Sequence, residues 1–155
     1  MRSRHFLVMI ILVVSSAANV QGEGAVEPGA VGKARALFNR YVKLERAFDA
    51  AAADLYSDNA IIRNKRTYPT GQVRELSIPV STYKDLIRKA MPVAKALGDR
   101  NTYSGCEYRE ISDQVRITCS RFSERKQYSS PLTLLVGPGP DGDWKIFEEL
   151  SESQP

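Results

Sequence analysis

The spacing of apolar side chains divides the sequence into two regimes. Through the first, the period is helical. At 100° per residue, Ala34, Leu37, Phe38, Tyr41, Leu44, Phe48 and Ala52 fall on one arc, and Lys33, Arg35, Arg40, Lys43 and Arg46 lie outside it. This is the stripe of a long helix lying on a core. The run Ala50–Ala53 continues it with high helix propensity. Asp54–Ala60 closes it in a short turn, Leu55 and Tyr56 inward and Ser57-Asp58-Asn59 as breakers. Short strands are predicted at Ala60–Arg63 and Val73–Val80, separated by the loop Lys65–Gly71; Pro79 places the second at an edge or end. A second helix starts at Ser81 or Thr82, where Thr82-x-x-Asp85 has the form of a capping box. It carries Leu86, Ile87, Ala90, Val93, Ala94 and Leu97 at helical spacing, should kink at Pro92, and ends at Gly98.

From Asn101 the period switches to two. Thr102–Ile111, Val115–Phe122 and Tyr128–Val136 read as hairpin-linked strands. The turn cluster Gly137–Gly142 leads into a last strand, Asp143–Leu150, with the only Trp. The pattern predicts an α+β fold.

The two cysteines fix a register. With Ser112-Asp113 as a two-residue turn, Glu110 pairs Val115, Tyr108 pairs Ile117 and Cys106 lands opposite Cys119. That pair is of the non-hydrogen-bonded kind, whose Cα atoms approach to roughly 4.5 Å, within reach of a disulfide. The same register puts Cys106, Tyr108, Val115, Ile117 and Cys119 on one apolar face. A Cys106–Cys119 disulfide is predicted; two reduced, buried cysteines are the alternative. No Cys-x-x-Cys is present to suggest catalytic redox use.

The N-terminus has the order of an export signal: Arg2, Arg4 and His5, the apolar run Phe6–Val14, then small residues. The run is too short to span a bilayer, so no stable membrane anchor is expected after cleavage, which could follow Ala18 or Gly22. Residues 1–22 are assigned to the signal, 23–32 to a flexible leader, 33–150 to a single domain and 151–155 to a tail. About 130 residues remain after the signal, enough for one domain with a real core. A secreted or periplasmic location follows, which favours the disulfide. Of 22 Lys and Arg, two fall in the signal, leaving 20 against 18 Asp and Glu. Near neutrality, the clusters Arg63–Arg66 and Arg121…Arg125-Lys126 read as solvated faces rather than a nucleic-acid surface. The only histidine is His5, so the exported chain lacks Ser-His-Asp and Cys-His catalysis and histidine-ligated metals. Neither metal nor cofactor is expected.

One residue contradicts its surroundings. Glu45 sits inside the apolar arc, one turn after Tyr41 and between Leu44 and Phe48. A carboxylate there is paired or has its pKa raised by desolvation. It is either a base or ligand anchor in a cavity, with Tyr41 as neighbouring donor, or the partner of an arginine from the sheet; a helix end rotated out of the core would also accommodate it.

Arg40-Tyr41-Val42, Ala53-Asp54-Leu55-Tyr56-Ser57-Asp58-Asn59-Ala60-Ile61-Ile62 and the terminal Trp144–Glu149, in this order of elements, resemble the nuclear transport factor 2-like (cystatin-like α+β) superfamily over about residues 30–150. The resemblance implies a cone-shaped, curved antiparallel β-sheet wrapped over the long N-terminal helix and a second helix. It also implies a pocket on the concave face and often a homodimer through the sheet. Ketosteroid isomerases of this superfamily place a tyrosine where Tyr41 stands. They also need an Asp after the first strand and a protonated acid in the sheet, where this chain has Arg63-Asn64 and the acid-free Ser129–Val136. Scytalone dehydratase and polyketide cyclase relatives lean on histidine.

Three readings of function follow. The first is an exported module binding a small apolar ligand or a protein. The second is a cofactor-independent isomerase or lyase with Glu45 as base and Tyr41, with Tyr108, as hydrogen-bond donors. The third is a periplasmic adaptor or inhibitor with an exposed apolar patch. In the first two, Tyr41, Glu45, Phe48, Tyr56, Tyr103, Tyr108 and Trp144 line the pocket; core packing is the alternative for each aromatic.

Overall fold

The computed structural model describes residues 29–154. Residues 1–22, expected to be an export signal, and residues 23–28 of the expected leader lie outside the described residues. Helix α1 (Ala30–Arg46) starts ahead of the expected domain boundary at Lys33 and already buries Gly32. It stops at Arg46 because Phe48 takes the left-handed conformation, φ 56°. The N–H groups of Phe48 and Asp49 turn back onto the carbonyls of Glu45 and Leu44, each at 2.9 Å, a Schellman cap with phenylalanine in glycine's usual place. Asp49 then accepts from the Ala51 N–H at 2.9 Å. The alanines beyond it form a 3-10 helix, Ala50–Leu55, not a continuation of the α-helix.

Strand β1 (Tyr56–Thr67) is longer than the apolar pattern suggests. Ser57–Ala60 do break the ladder, as a shift in register against the last strand, but the chain stays extended through them. Strand β2 (Val73–Ile78) occupies a sheet edge, as Pro79 requires. Helix α2 (Val80–Leu97) begins directly after Pro79, whose carbonyl accepts from the Tyr83 N–H at 2.9 Å. Neither Ser81 nor Thr82 caps it, since the proline has already turned the chain into the helix. Pro92 lies inside it, and Gly98 ends it at φ 62°.

Strands β3 (Asn101–Ile111), β4 (Gln114–Ser123), β5 (Tyr128–Pro138) and β6 (Trp144–Ser153) complete a curved, unclosed six-stranded sheet in the order β2-β1-β6-β5-β4-β3. All neighbours run antiparallel except β1 and β6, which are parallel. Cys106 and Cys119 are bonded, with Cα atoms 4.3 Å apart. The register is as the hairpin turn requires through Glu107↔Thr118. Gly105 (φ 61°) and Cys106 then face Cys119 together, a bulge with glycine in the left-handed position.

The core lies between α1 and the concave face of the sheet. Ala34, Leu37, Phe38 and Tyr41 pack with Leu55, Tyr56, Ile62, Val115, Ile117, Cys119, Leu132, Leu134, Val136 and Ile146. Helix α2 has no fully buried residue, so it covers a space rather than filling one. No helix among the described residues is long and apolar enough to cross a membrane.

Candidate functional site

The space under α2 is a cavity of about 300 Å³. Helix α1 contributes Tyr41 and Glu45 to it, with Phe48 at its cap. Helix α2 contributes Ile87, Ala90, Met91 and Ala94, one apolar stripe. The sheet contributes polar groups: Asn101 from β3, Arg121 and Ser123 from β4, Tyr128 and Ser130 from β5. Arg121 and Ser123 alternate inward from Cys119, which is why a sequence cluster read as solvated turns one of its arginines into the molecule.

Glu45 is half-buried and held by two neutral donors. The Asn101 amide donates to Oε1 and the Tyr103 hydroxyl to Oε2, both at 2.7 Å. Among the described residues no arginine pairs with it. Arg121 donates instead to the Glu152 carbonyl at 2.8 Å and the Ser130 hydroxyl at 3.3 Å. Burial raises the Glu45 carboxyl above the usual glutamate range; the Tyr103 and Asn101 hydrogen bonds and the field of Arg121 offset only part of that shift. Burial, then the negative fields of Glu45 and Glu149, holds Tyr41 well above the phenol range, so it remains a protonated donor at neutral pH. Acceptor and donor one helical turn apart can together hold a ligand hydroxyl or carbonyl, or move a proton between them.

The raised value has a sign that can be checked. Between the ordinary glutamate value of 4.5 and the raised one, the folded chain binds more protons than the unfolded chain. Stability contributed by Glu45 is full below that window and is lost as pH rises through it. Urea midpoints from about pH 5 to about pH 8 are expected to fall more steeply for the wild type than for Glu45→Gln, which does not titrate. Equal slopes would contradict the shift.

A second acid was not anticipated. Glu149 on β6 is 1 % exposed. It accepts from the hydroxyls of Tyr56 and, at 2.8 Å, Tyr83, whose rings meet edge to face with centroids 5.4 Å apart. Both phenols are raised well above their usual range by burial and then by Glu149. Tyr83 is legible one turn before Ile87, on the stripe that faces the cavity; Glu149 is not, because a bulge in β6 changes the register.

The predicted lining residues separate into two groups. Tyr41, Glu45, Phe48 and Tyr56 converge on the cavity. Tyr103 stands behind Glu45, its ring 5.5 Å from Phe38 and 6.1 Å from Tyr41. It also lines a groove on the other side of α1, and Tyr108 belongs to that groove, not to the cavity. Its ring carries the Arg35 guanidinium at 4.3 Å. Trp144 lies elsewhere again, beside Leu37, Arg40 and Leu55. Strand periodicity set the face of each residue but not its distance along the sheet. No group of three or more His, Cys, Asp or Glu among the described residues could hold a metal ion.

No family sequence model and no curated protein sequence matches the chain. Solved structures do. A nuclear transport factor 2-like protein of unknown function from Pseudomonas putida KT2440 superposes with a TM-score of 0.62 at 13% identity, over 83% of this chain and 89% of that one. The fold is nuclear transport factor 2-like. A candidate ketosteroid isomerase from Parabacteroides distasonis shares this nuclear transport factor 2-like fold, with a TM-score of 0.57 at 13% identity over 84% and 92% of the two chains. So does a candidate dehydratase from Streptomyces avermitilis, at 0.56 and 14% identity over 79% and 94%. At these identities the likeness concerns the nuclear transport factor 2-like fold alone.

Proposed function

We propose that this chain is an exported small-molecule-binding protein whose ligand occupies the cavity under α2. One observation carries the reading: Glu45, a carboxylate held only by neutral donors, borders an open space that one helix covers with apolar side chains. A volume of about 300 Å³ is at the small end for ligand pockets. The ligand that fits has an apolar body lying on Ile87, Ala90, Met91 and Ala94, and a hydroxyl or carbonyl directed at Glu45 and Tyr41. The disulfide suits an oxidising compartment, in keeping with the export signal in the sequence.

2-Naphthol, a hydroxyl on an apolar body, is a direct probe. Saturable binding is expected by fluorescence titration, weakened about tenfold in Glu45→Ala. Ala94→Trp, which fills the cavity from α2, should abolish it with the fold intact. The reading fails if the wild type neither binds the probe nor releases any small molecule on denaturing extraction.

The raised Glu45 carboxyl favours a second reading, a cofactor-independent isomerase or lyase. Glu45 would abstract a proton beside a carbonyl and Tyr41 would donate to the developing oxyanion. The neighbours named as a candidate isomerase and a candidate dehydratase support it. Turnover would then rise with pH as Glu45 ionises, and Glu45→Gln would lower it by about two orders of magnitude or more.

A further inference from the structure

The hairpin joining β1 to β2 carries a cluster that the cavity does not use. Arg66 and Arg74 are direct cross-strand partners, and like charges in that position repel. Both guanidinium groups reach one ring: that of Tyr68, with centroid distances of 5.7 Å for Arg66 and 5.6 Å for Arg74. Arg66 Nε is buried and has no hydrogen-bond partner. The fold thus leaves one donor of this guanidinium unsatisfied, and such groups call for an explanation.

The nearby acids are on the wrong side. Lys65, one residue before Arg66, points to the opposite face of the strand. There it bonds Glu152 at 3.4 Å and stands across from Glu75. Arg66 shares its face with Ile62 and Asn64, and with Ser153 across the β6 pairing. Ile62 is buried in the core, so this is the concave face, the one that bears Glu149 and the cavity. Two cations meet there over an aromatic ring, and among the described residues no carboxylate lies between them. A planar fork suits an oxyanion taken side-on, and stacking on an aromatic ring holds the fork in place.

We propose that Arg66 and Arg74, positioned by Tyr68, form a binding clamp for a small oxyanion, the phosphate or carboxylate group of a soluble ligand. The anion relieves the repulsion between the two arginines and is held by the N–H groups at the outer ends of their guanidinium forks. This site stands on different residues from the cavity and holds whether or not the cavity binds a ligand.

The test uses the full chain labelled with ¹⁵N, titrated with inorganic phosphate at constant ionic strength made up with chloride. Saturable shifts of the Arg66 and Arg74 Nε–H signals are expected, with a parallel rise in Tm. Arg66→Gln or Arg74→Gln should each weaken the response about tenfold, and the double variant should abolish it. Ala94→Trp, with the cavity filled, should leave it unchanged, which separates this site from the one under α2. Acetate in place of phosphate identifies the preferred group. The clamp is ruled out if chloride alone gives the same shifts, if neither anion gives any, or if the double variant still responds.

Discussion

Replacing Glu149 by leucine is expected to cost about 4 kcal/mol of stability. Leucine is no smaller than glutamate, so no cavity opens; the loss comes from the two phenols left behind. Tyr56 and Tyr83 both donate to this one carboxylate, and Tyr56 is 2 % exposed, so water cannot replace the acceptor. Each stranded hydroxyl costs on the order of 1–3 kcal/mol. Removing the donors as well reverses the logic: Glu149→Leu combined with Tyr56→Phe and Tyr83→Phe should recover most of the loss. Urea unfolding at neutral pH measures all the variants. A single Glu149→Leu variant within about 1 kcal/mol of the wild type would show that the triad does not hold α2 to the sheet.

Loss of the Cys106–Cys119 bond is the second large effect, about 3 kcal/mol for a closed loop of this length in the chain-entropy model. Alanine at both positions is the suitable variant, because serine would bury hydroxyls. The consequence is also local. β3 is an edge strand paired only with β4, and it carries Asn101 and Tyr103, the two donors to Glu45. Loosening it releases the carboxylate, so 2-naphthol binding should weaken along with Tm. Dithiothreitol should lower the Tm of the wild type and leave that of the double-alanine variant unchanged. A wild-type Tm indifferent to reductant would count against a structural role for the bond.

Much of this was legible from side-chain pattern. Glu45 stood out because helical spacing surrounded it with apolar neighbours, and the cysteine register followed from one turn and an alternation. Two features were not legible, for reasons of backbone geometry. Phe48 gives no sequence signal for a left-handed residue, since glycine is the usual occupant of that cap, so helical spacing alone runs on into the alanines beyond the true end at Arg46. Glu149 was hidden by a bulge. Alternation from the buried Ile146 would place Glu148 and Leu150 inside. The register shifts where Leu135 pairs Glu148 and Val136 pairs Ile146, leaving Phe147 as the extra residue. Past that point every side chain changes face, so Glu149 is buried and Leu150 is 36 % exposed. Composition cannot announce such an insertion.

The parallel pairing of β1 with β6 also constrains the order of events when the protein is made. The strand that begins at residue 56 must wait for its neighbour, which ends at residue 153. Tyr56 and Glu149, 93 positions apart, meet only when the last strand arrives. Contacts between such distant parts of a chain form slowly, and none of them can form on the ribosome before Glu149 has emerged. The step that closes the sheet is therefore withheld until the strand ending at residue 153 has been synthesised.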